Sequence, residues 1–252
     1  MVRIGLLGCG NVGRIIALHQ DGFEVVAVFD QLSDHAATLA ELTGSKPYSD
    51  FDQFLSAPFD ICVEAASIAA VRAYALKAVE QGKDLVILSV GALADTPFRE
   101  HLITVARENG KKIHIPSGAI MGLDNLKIGQ ISYIESILLR TTKSPESLGM
   151  AVTSRTLAFK GKANECVKQF PKNINVSVAI ALASTHEVDV ELWADPEVDK
   201  NIHEIFVKGE FGDIYTKITN LPSPDNPATS YLAALSVLSL LKNIDSPLVI
   251  GA

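Results

Sequence analysis

Apolar positions in the first half of the chain come in short unbroken runs separated by stretches at helical spacing. Val2 to Leu7 is an almost continuous apolar run, the pattern of a strand covered on both faces. It breaks at Gly8-x-Gly10-x-x-Gly13 and resumes as a helix through Ile15 and Ile16. His19 to Gly22 reads as a turn and Glu24 to Phe29 as a second buried strand. A helix is expected from Ser33 to Thr43, with Ser33 as its cap and Gly44 as its stop. The same alternation continues: strand Phe59 to Glu64, helix Ile68 to Glu80 closed by Gly82, and strand Asp84 to Leu88. A helix from Asp95 to Asn109, ended by Gly110, then leads to a short strand, Lys112 to Ile115. Strands alternating with helices imply a parallel sheet, with ligands beyond the carboxyl ends of its strands.

The pattern changes after the loop Pro116 to Gly122. Longer alternating strands are expected at Ile131 to Thr142, Glu187 to Trp193, Glu204 to Lys208 and Ile214 to Thr219. Helices are expected at Ala163 to Gln169 and Asn173 to Ala183, and a last apolar helix at Thr229 to Leu241. The fold class is therefore α/β: a Rossmann-type doubly wound parallel sheet, plus a second α+β domain with a mostly antiparallel sheet. The first domain is expected to span 1–118 and the second 119–227, with 228–252 returning to pack on the first.

Composition narrows the range of ligands. The 252 residues are 48% hydrophobic, ample for packed cores, and the net charge of −7 comes with no basic cluster. Nucleic acid and anionic membrane surfaces are thereby disfavoured, leaving small molecules as ligands. Cys9, Cys62 and Cys166 are odd in number and lack metal-ligand spacing, so no metal is expected and the thiols read as reduced in a cytoplasmic protein, Cys9 and Cys62 as core residues. No signal peptide and no bilayer-length apolar run is read.

The glycine turn carries the first chemistry. In Gly8-Cys9-Gly10-Asn11-Val12-Gly13 the first glycine permits the strand-to-helix turn, the second lets backbone approach a pyrophosphate, and the third lets the helix lie close on the sheet. Strand, helix and a following acid supply the context that a lone glycine motif lacks. The acid is Asp30, 17 residues past Gly13 at the end of the second strand, where a carboxylate accepts from ribose hydroxyls. Gln31-Leu32-Ser33-Asp34 contains no arginine for a 2′-phosphate, which favours NAD, with NADP open through a distant Lys or Arg. The exit loops Ala65-Ala66-Ser67 and Ser89-Val90-Gly91-Ala92 should line the same crevice with small residues.

A nicotinamide enzyme also needs a proton acceptor, for which histidine is suited near neutral pH. His19, His35 and His101 read as surface residues, His186 as a turn residue, and His114 as a reserve at a strand end. His203 is the best placed, at a strand start beside acids that could orient its ring; a structural histidine is the alternative. In Phe170-Pro171-Lys172-Asn173-Ile174-Asn175-Val176, which reads as a helix start, Lys172 could meet a carboxylate and the Asn173 amide can donate and accept, with a plain Asn cap as the alternative. Asn226-Pro227-Ala228-Thr229-Ser230 reads as a second capped helix start, whose N–H groups near Thr229 and Ser230 could receive a substrate carboxylate.

Taken with Val63-Glu64-Ala65-Ala66-Ser67, Pro116-Ser117-Gly118-Ala119-Ile120 and Gly209-Glu210-Phe211-Gly212, these stretches resemble the L-aspartate dehydrogenase family over nearly the whole chain. The resemblance implies oxidation of L-aspartate with NAD or NADP to iminoaspartate, or oxaloacetate and ammonia. It further implies that Ala119 and Asn173 contact the dinucleotide near its nicotinamide end, that His203 is the active-site residue, and that the protein is a cytoplasmic homodimer able to feed NAD biosynthesis. Ala228 departs from the pattern, which has a basic residue there. Two other readings stand beside it: another two-domain oxidoreductase, related to dihydrodipicolinate reductase or homoserine dehydrogenase, and a non-catalytic NAD-binding sensor.

Overall fold

A computed structural model describes residues 1–170, 174–223 and 226–251. The chain divides into two compact units, one of residues 1–116 with 233–250, the other of 117–232 with the C-terminal end.

The first unit is built on β1 (Val2–Leu7), followed by α1 (Asn11–Leu18), β2 (Phe23–Phe29), α2 (Ser33–Thr43), β3 (Lys46–Tyr48) and α3 (Phe51–Leu55). After these come β4 (Ile61–Glu64), α4 (Ile68–Glu80), β5 (Asp84–Ile87), α5 (Thr96–Glu108) and β6 (Ile113–His114). The six strands are all parallel, in the order β3-β2-β1-β4-β5-β6. Right-handed crossovers place the connections on opposite faces to either side of β1, so the order reverses between β1 and β4. Their last residues, Leu7 and Glu64, are register partners, which fixes where the crevice opens. Continuous apolar strands follow from burial on both faces: Ile4, Leu6, Val25, Val28, Ile61, Val63 and Val86 share one core. Val237 and Leu241 enter that core from the chain's last helix.

Two local details differ from expectation. Ser33 is the first residue of α2 and does not cap it; instead Asp30 Oδ1 accepts from the Leu32 N–H at 2.9 Å and closes the turn. The short β3 and α3 carry too little periodicity to stand out in the sequence. Gly44 ends α2 in the left-handed conformation, φ 73°.

The second unit begins with α6 (Leu123–Leu126) and β7 (Ile134–Lys143), then β8 (Thr156–Lys162), α7 (Ala163–Gln169), α8 (Asn175–Ser184) and β9 (Asp189–Ala194). Next come β10 (Asn201–Gly209), β11 (Gly212–Asn220), β12 (Pro222–Ser223), β13 (Asn226–Ser230) and α9 (Tyr231–Asn243), which leads back into the first unit. The main sheet runs β11-β10-β7-β9-β8, with β7 and β9 parallel and the other pairs antiparallel. Strict alternation buries Ile137, Leu139, Val190, Leu192, Ile205 and Val207 on one face. β7 starts at Ile134 rather than Ile131, because the N–H groups of Ile131 and Ser132 both turn back to Ile128 O.

The second capped helix start is not found. Asn226–Ser230 is strand β13, paired with β12 through Ser223↔Asn226 and Pro222↔Ser230, and α9 begins only at Tyr231. Pro227 favours an extended conformation for the residue before it, which suits a strand as well as a cap.

Candidate active site

Gly8 leaves β1 with φ 106°, and a Cβ there would lie 2.8 Å from the backbone of Ala65, so both conformation and space demand glycine. A Cβ on Gly13 would run into Gly8 O, so α1 lies directly on the turn. Gly10 is different: a Cβ there would meet nothing within 4 Å. It borders a cavity of about 210 Å³ whose walls include Gly8, Asp30, Ala65, Ala66 and Ser67. The Tyr74 ring, packed 4.2 Å from Phe51, closes another side.

Asp30 is tied to the turn. Its Oδ2 accepts from the Cys9 N–H at 2.8 Å while the Gly8 N–H donates to Phe29 O at 2.8 Å. The carboxylate is thus held where Asp30 lines the cavity. Cys9 points inward instead: its thiol is pushed up to about 12, first by burial and then by Asp30, and its amide is already engaged. Val12 packs on the core, and Asn11 opens α1.

Glu64 joins the other two loops, a role its sequence position does not reveal. It is 2% exposed at the end of β4, and its Oε1 accepts from the Ala66 N–H and the Ser89 hydroxyl, both at 2.8 Å. Its Oε2 accepts from the N–H groups of Ser89 at 2.9 Å and Leu88 at 3.2 Å. Burial raises its pKa, and the hydrogen bonds from Ser89 and Ala66 oppose that rise. Ser67 caps α4, accepting from the Ala70 N–H at 3.1 Å. Val90 and Gly91 are buried, and Ser89 is the residue of that loop whose N–H and hydroxyl donate to Glu64.

In the second unit His203 lies on the buried face of β10, paired in register with Thr141 of β7 and 6% exposed. Its Nδ1 is 3.0 Å from Thr141 Oγ1. The expected orienting acid is therefore a hydroxyl. Glu204 points to the opposite face, where its carboxylate accepts from the Tyr215 hydroxyl at 2.8 Å. Burial, and secondarily Lys143, push the imidazole from 6.5 down to about 3, so it is neutral across the physiological range.

Ala119 O accepts from Asn220 Nδ2 at 2.9 Å, and Asn220 Oδ1 accepts from the buried Ser230 hydroxyl at 2.7 Å. The Tyr231 N–H donates to Leu221 O, so this segment does not present the open helix end expected around Thr229 and Ser230. Lys172 and Asn173 lie outside the described residues. His19, His35 and His101 are exposed; His114 is half-buried at the end of β6, and burial lowers its pKa. Among the described residues no group of His, Cys, Asp or Glu could hold a metal ion, and no helix is long and apolar enough to cross a membrane.

Two family models match this chain. That for the C-terminal part of aspartate dehydrogenase matches residues 124–244, and that for the NAD-binding domain of homoserine dehydrogenase matches residues 8–116. The L-aspartate dehydrogenase of Methanospirillum hungatei is 74% identical over 252 residues, covering 100% of both chains. This chain belongs to the aspartate dehydrogenase family. The L-aspartate dehydrogenase of Methanothermobacter thermautotrophicus is 41% identical, over 100% of this chain and 99% of its own. The crystal structure of aspartate dehydrogenase from Thermotoga maritima superimposes with a TM-score of 0.84 at 30% identity, covering 99% of each chain. A putative myo-inositol dehydrogenase of Sinorhizobium meliloti, at 14% identity and TM-score 0.59, shares the fold.

As an aspartate dehydrogenase the chain uses NAD or NADP, and its first unit fits such a dinucleotide. Gly10 has space that no protein atom fills, the walls of small residues admit a ligand close to backbone, and the Asp30 carboxylate lines the same cavity. The homoserine dehydrogenase match covers only the cofactor-binding part, whereas the part carrying His203 matches aspartate dehydrogenase.

Proposed function

We propose that this protein oxidises L-aspartate to iminoaspartate, which water converts to oxaloacetate and ammonia. When bound, the nicotinamide dinucleotide accepts the hydride that leaves the substrate Cα. The observation that carries the residue assignment is the buried, neutral His203 held by Thr141. With Nδ1–H donated to Thr141 Oγ1, Nε2 keeps a free lone pair. That lone pair takes a proton from the substrate ammonium, or later from the water that attacks the imine.

Gly8, Gly10, Gly13, Ala65 to Ser67, Ser89, Ala119 and Asn173 are proposed to hold the dinucleotide, with Asp30 on its adenosine ribose. A carboxylate at that position disfavours a 2′-phosphate, so NAD is the preferred acceptor. Lys172 is retained as a substrate contact; Thr229 and Ser230 serve the fold, given the bond from Ser230 to Asn220.

A cytoplasmic homodimer supplying iminoaspartate to NAD biosynthesis accords with this reading. Three buried free thiols suit a reducing compartment. The stacked Phe206 and Tyr215 rings, 4.8 Å apart on the sheet face opposite His203, give a surface on which a second copy can pack. Sedimentation of the purified chain tests the dimer.

The activity test is the appearance of reduced nicotinamide with aspartate, run in parallel with NAD and NADP and with homoserine as comparator. Aspartate-dependent reduction is expected, faster with NAD. His203→Ala should lower turnover by about 10² to 10⁴ while leaving dinucleotide binding near its original strength. A protein that binds NAD but shows no aspartate-dependent signal would be a sensor.

A further inference from the structure

β7 ends in a lysine that the proposed reaction has not yet used. Thr141 faces the His203 ring, and strand alternation brings Lys143, two residues on, to that same face. Lys143 is half-buried, and withdrawal from water lowers its pKa. Several cations of this sheet have acidic partners, while Lys208 and Lys217 stand exposed to water. Arg140 and Lys160 meet Glu191, Lys162 meets Asp189 and Glu187, and Arg155 meets Asp195. Lys143 has neither an ion pair nor a side-chain hydrogen bond among the described residues. Even Asp195, whose N–H donates to Lys143 O at 2.9 Å, directs its carboxylate to Arg155. An ammonium left unpaired in such a place costs stability unless something anionic arrives.

We infer that Lys143 receives a carboxylate of the substrate, placing the bound dicarboxylate beside the His203 imidazole. This rests on the proposed aspartate oxidation and extends it by naming the group that anchors the acid. Aspartate carries two carboxylates and one ammonium, so one carboxylate on Lys143 leaves the ammonium to face the neutral imidazole. The charge of Lys143 also disfavours protonation of the vacant ring, so the base awaits substrate in its proton-accepting form. Unlike Thr229 and Ser230, this group offers a full positive charge, the better match to a carboxylate.

The test compares Lys143→Met, Lys143→Gln and Lys143→Arg with the parent enzyme. Steady-state kinetics give KM for aspartate and for NAD separately, and calorimetry in the presence of NAD gives the affinity for succinate, a non-reacting dicarboxylate. The Met and Gln variants should raise aspartate KM and weaken succinate roughly 10- to 100-fold, with NAD KM within about twofold of the parent and partial recovery in the Arg variant. Removal of an unpaired, half-buried charge should leave the melting temperature unchanged or higher. Unaltered succinate affinity, an equal loss for NAD, or variants that fail to fold would each overturn the assignment. Failure of the underlying reading looks different: the parent enzyme itself would show no aspartate-dependent reduction, while the succinate measurement would still report on Lys143.

Discussion

Glu64 and Ser89 are joined twice, the hydroxyl donating to Oε1 at 2.8 Å and the N–H to Oε2 at 2.9 Å, so one carboxylate fastens the loop after β4 to the loop after β5. The first of these loops, Ala65 to Ser67, lines the cavity beside Gly10. Glu64→Ala would remove the acceptor of the Ala66, Leu88 and Ser89 N–H groups, hydrogen bonds that are only partly buried, at about 1 kcal/mol each. The variant should unfold at lower urea, and its KM for NAD should rise roughly tenfold or more. Unchanged NAD affinity in a folded Glu64→Ala protein would show that the fastening is irrelevant to the cofactor.

Gly10 and Gly13 separate binding from folding. Gly10 has φ −73°, which any residue adopts, and its missing Cβ faces open space, so Gly10→Ala should melt close to the parent. The added methyl projects where backbone is proposed to meet pyrophosphate, so NAD affinity should fall by about tenfold or more. Gly13→Ala must instead push α1 away from Gly8 O and should destabilise by roughly 1 to 3 kcal/mol. Thermal melts with NAD titrations on both variants check this, and equal effects would defeat the distinction.

Local signals carried much of this in the sequence. The turn from Gly8 to Gly13 and the acid at Asp30 are legible because strand, turn and helix follow one another in the chain, and the Cys9–Asp30 bond joins adjacent strand ends. The parallel sheet followed from alternation, and the mostly antiparallel second sheet from period-two runs. Glu64 was hidden because Leu88 and Ser89 lie 24 and 25 residues away. The segment Asn226–Ser230 reads as a helix cap because Asn, Thr and Ser suit one, and only pairing with Pro222–Ser223 decides for a strand. Lys143 lies just beyond the strand expected to end at Thr142, and only the pairing of Thr141 with His203 puts it, two residues on, on the face of the imidazole.

Thr141 tests how the base is held. Its hydroxyl lies 3.0 Å from His203 Nδ1 and holds the ring; in the proposed base form it accepts from Nδ1–H, which leaves Nε2 unprotonated. Thr141→Val keeps the volume but removes the partner, and kcat should fall roughly 10- to 100-fold with a smaller change in aspartate KM. Thr141→Ser should recover most of the loss. A Val variant with the parent's kcat would show that the ring needs no such orientation.

The imidazole of His203 should also leave a mark on acid stability. Its folded-state pKa is depressed from 6.5 to about 3, chiefly by burial and then by Lys143, the charged group that faces it. Below 6.5 the unfolded chain therefore binds a proton that the folded chain refuses. Stability from this source is complete above that value and drains away as pH falls toward 3. At about 1.36 kcal/mol per pH unit, the loss between pH 7.5 and 4.5 should come to roughly 2 to 3 kcal/mol. Carboxylates titrate over part of the same range, so the quantity to measure is the difference between the parent and His203→Gln in urea unfolding at matched pH. The parent should lose ground to the Gln variant steadily as the solution is acidified. Parallel curves would mean that the ring protonates as readily inside the protein as in water, and a histidine so exposed to protons would not be the buried neutral base proposed for the reaction.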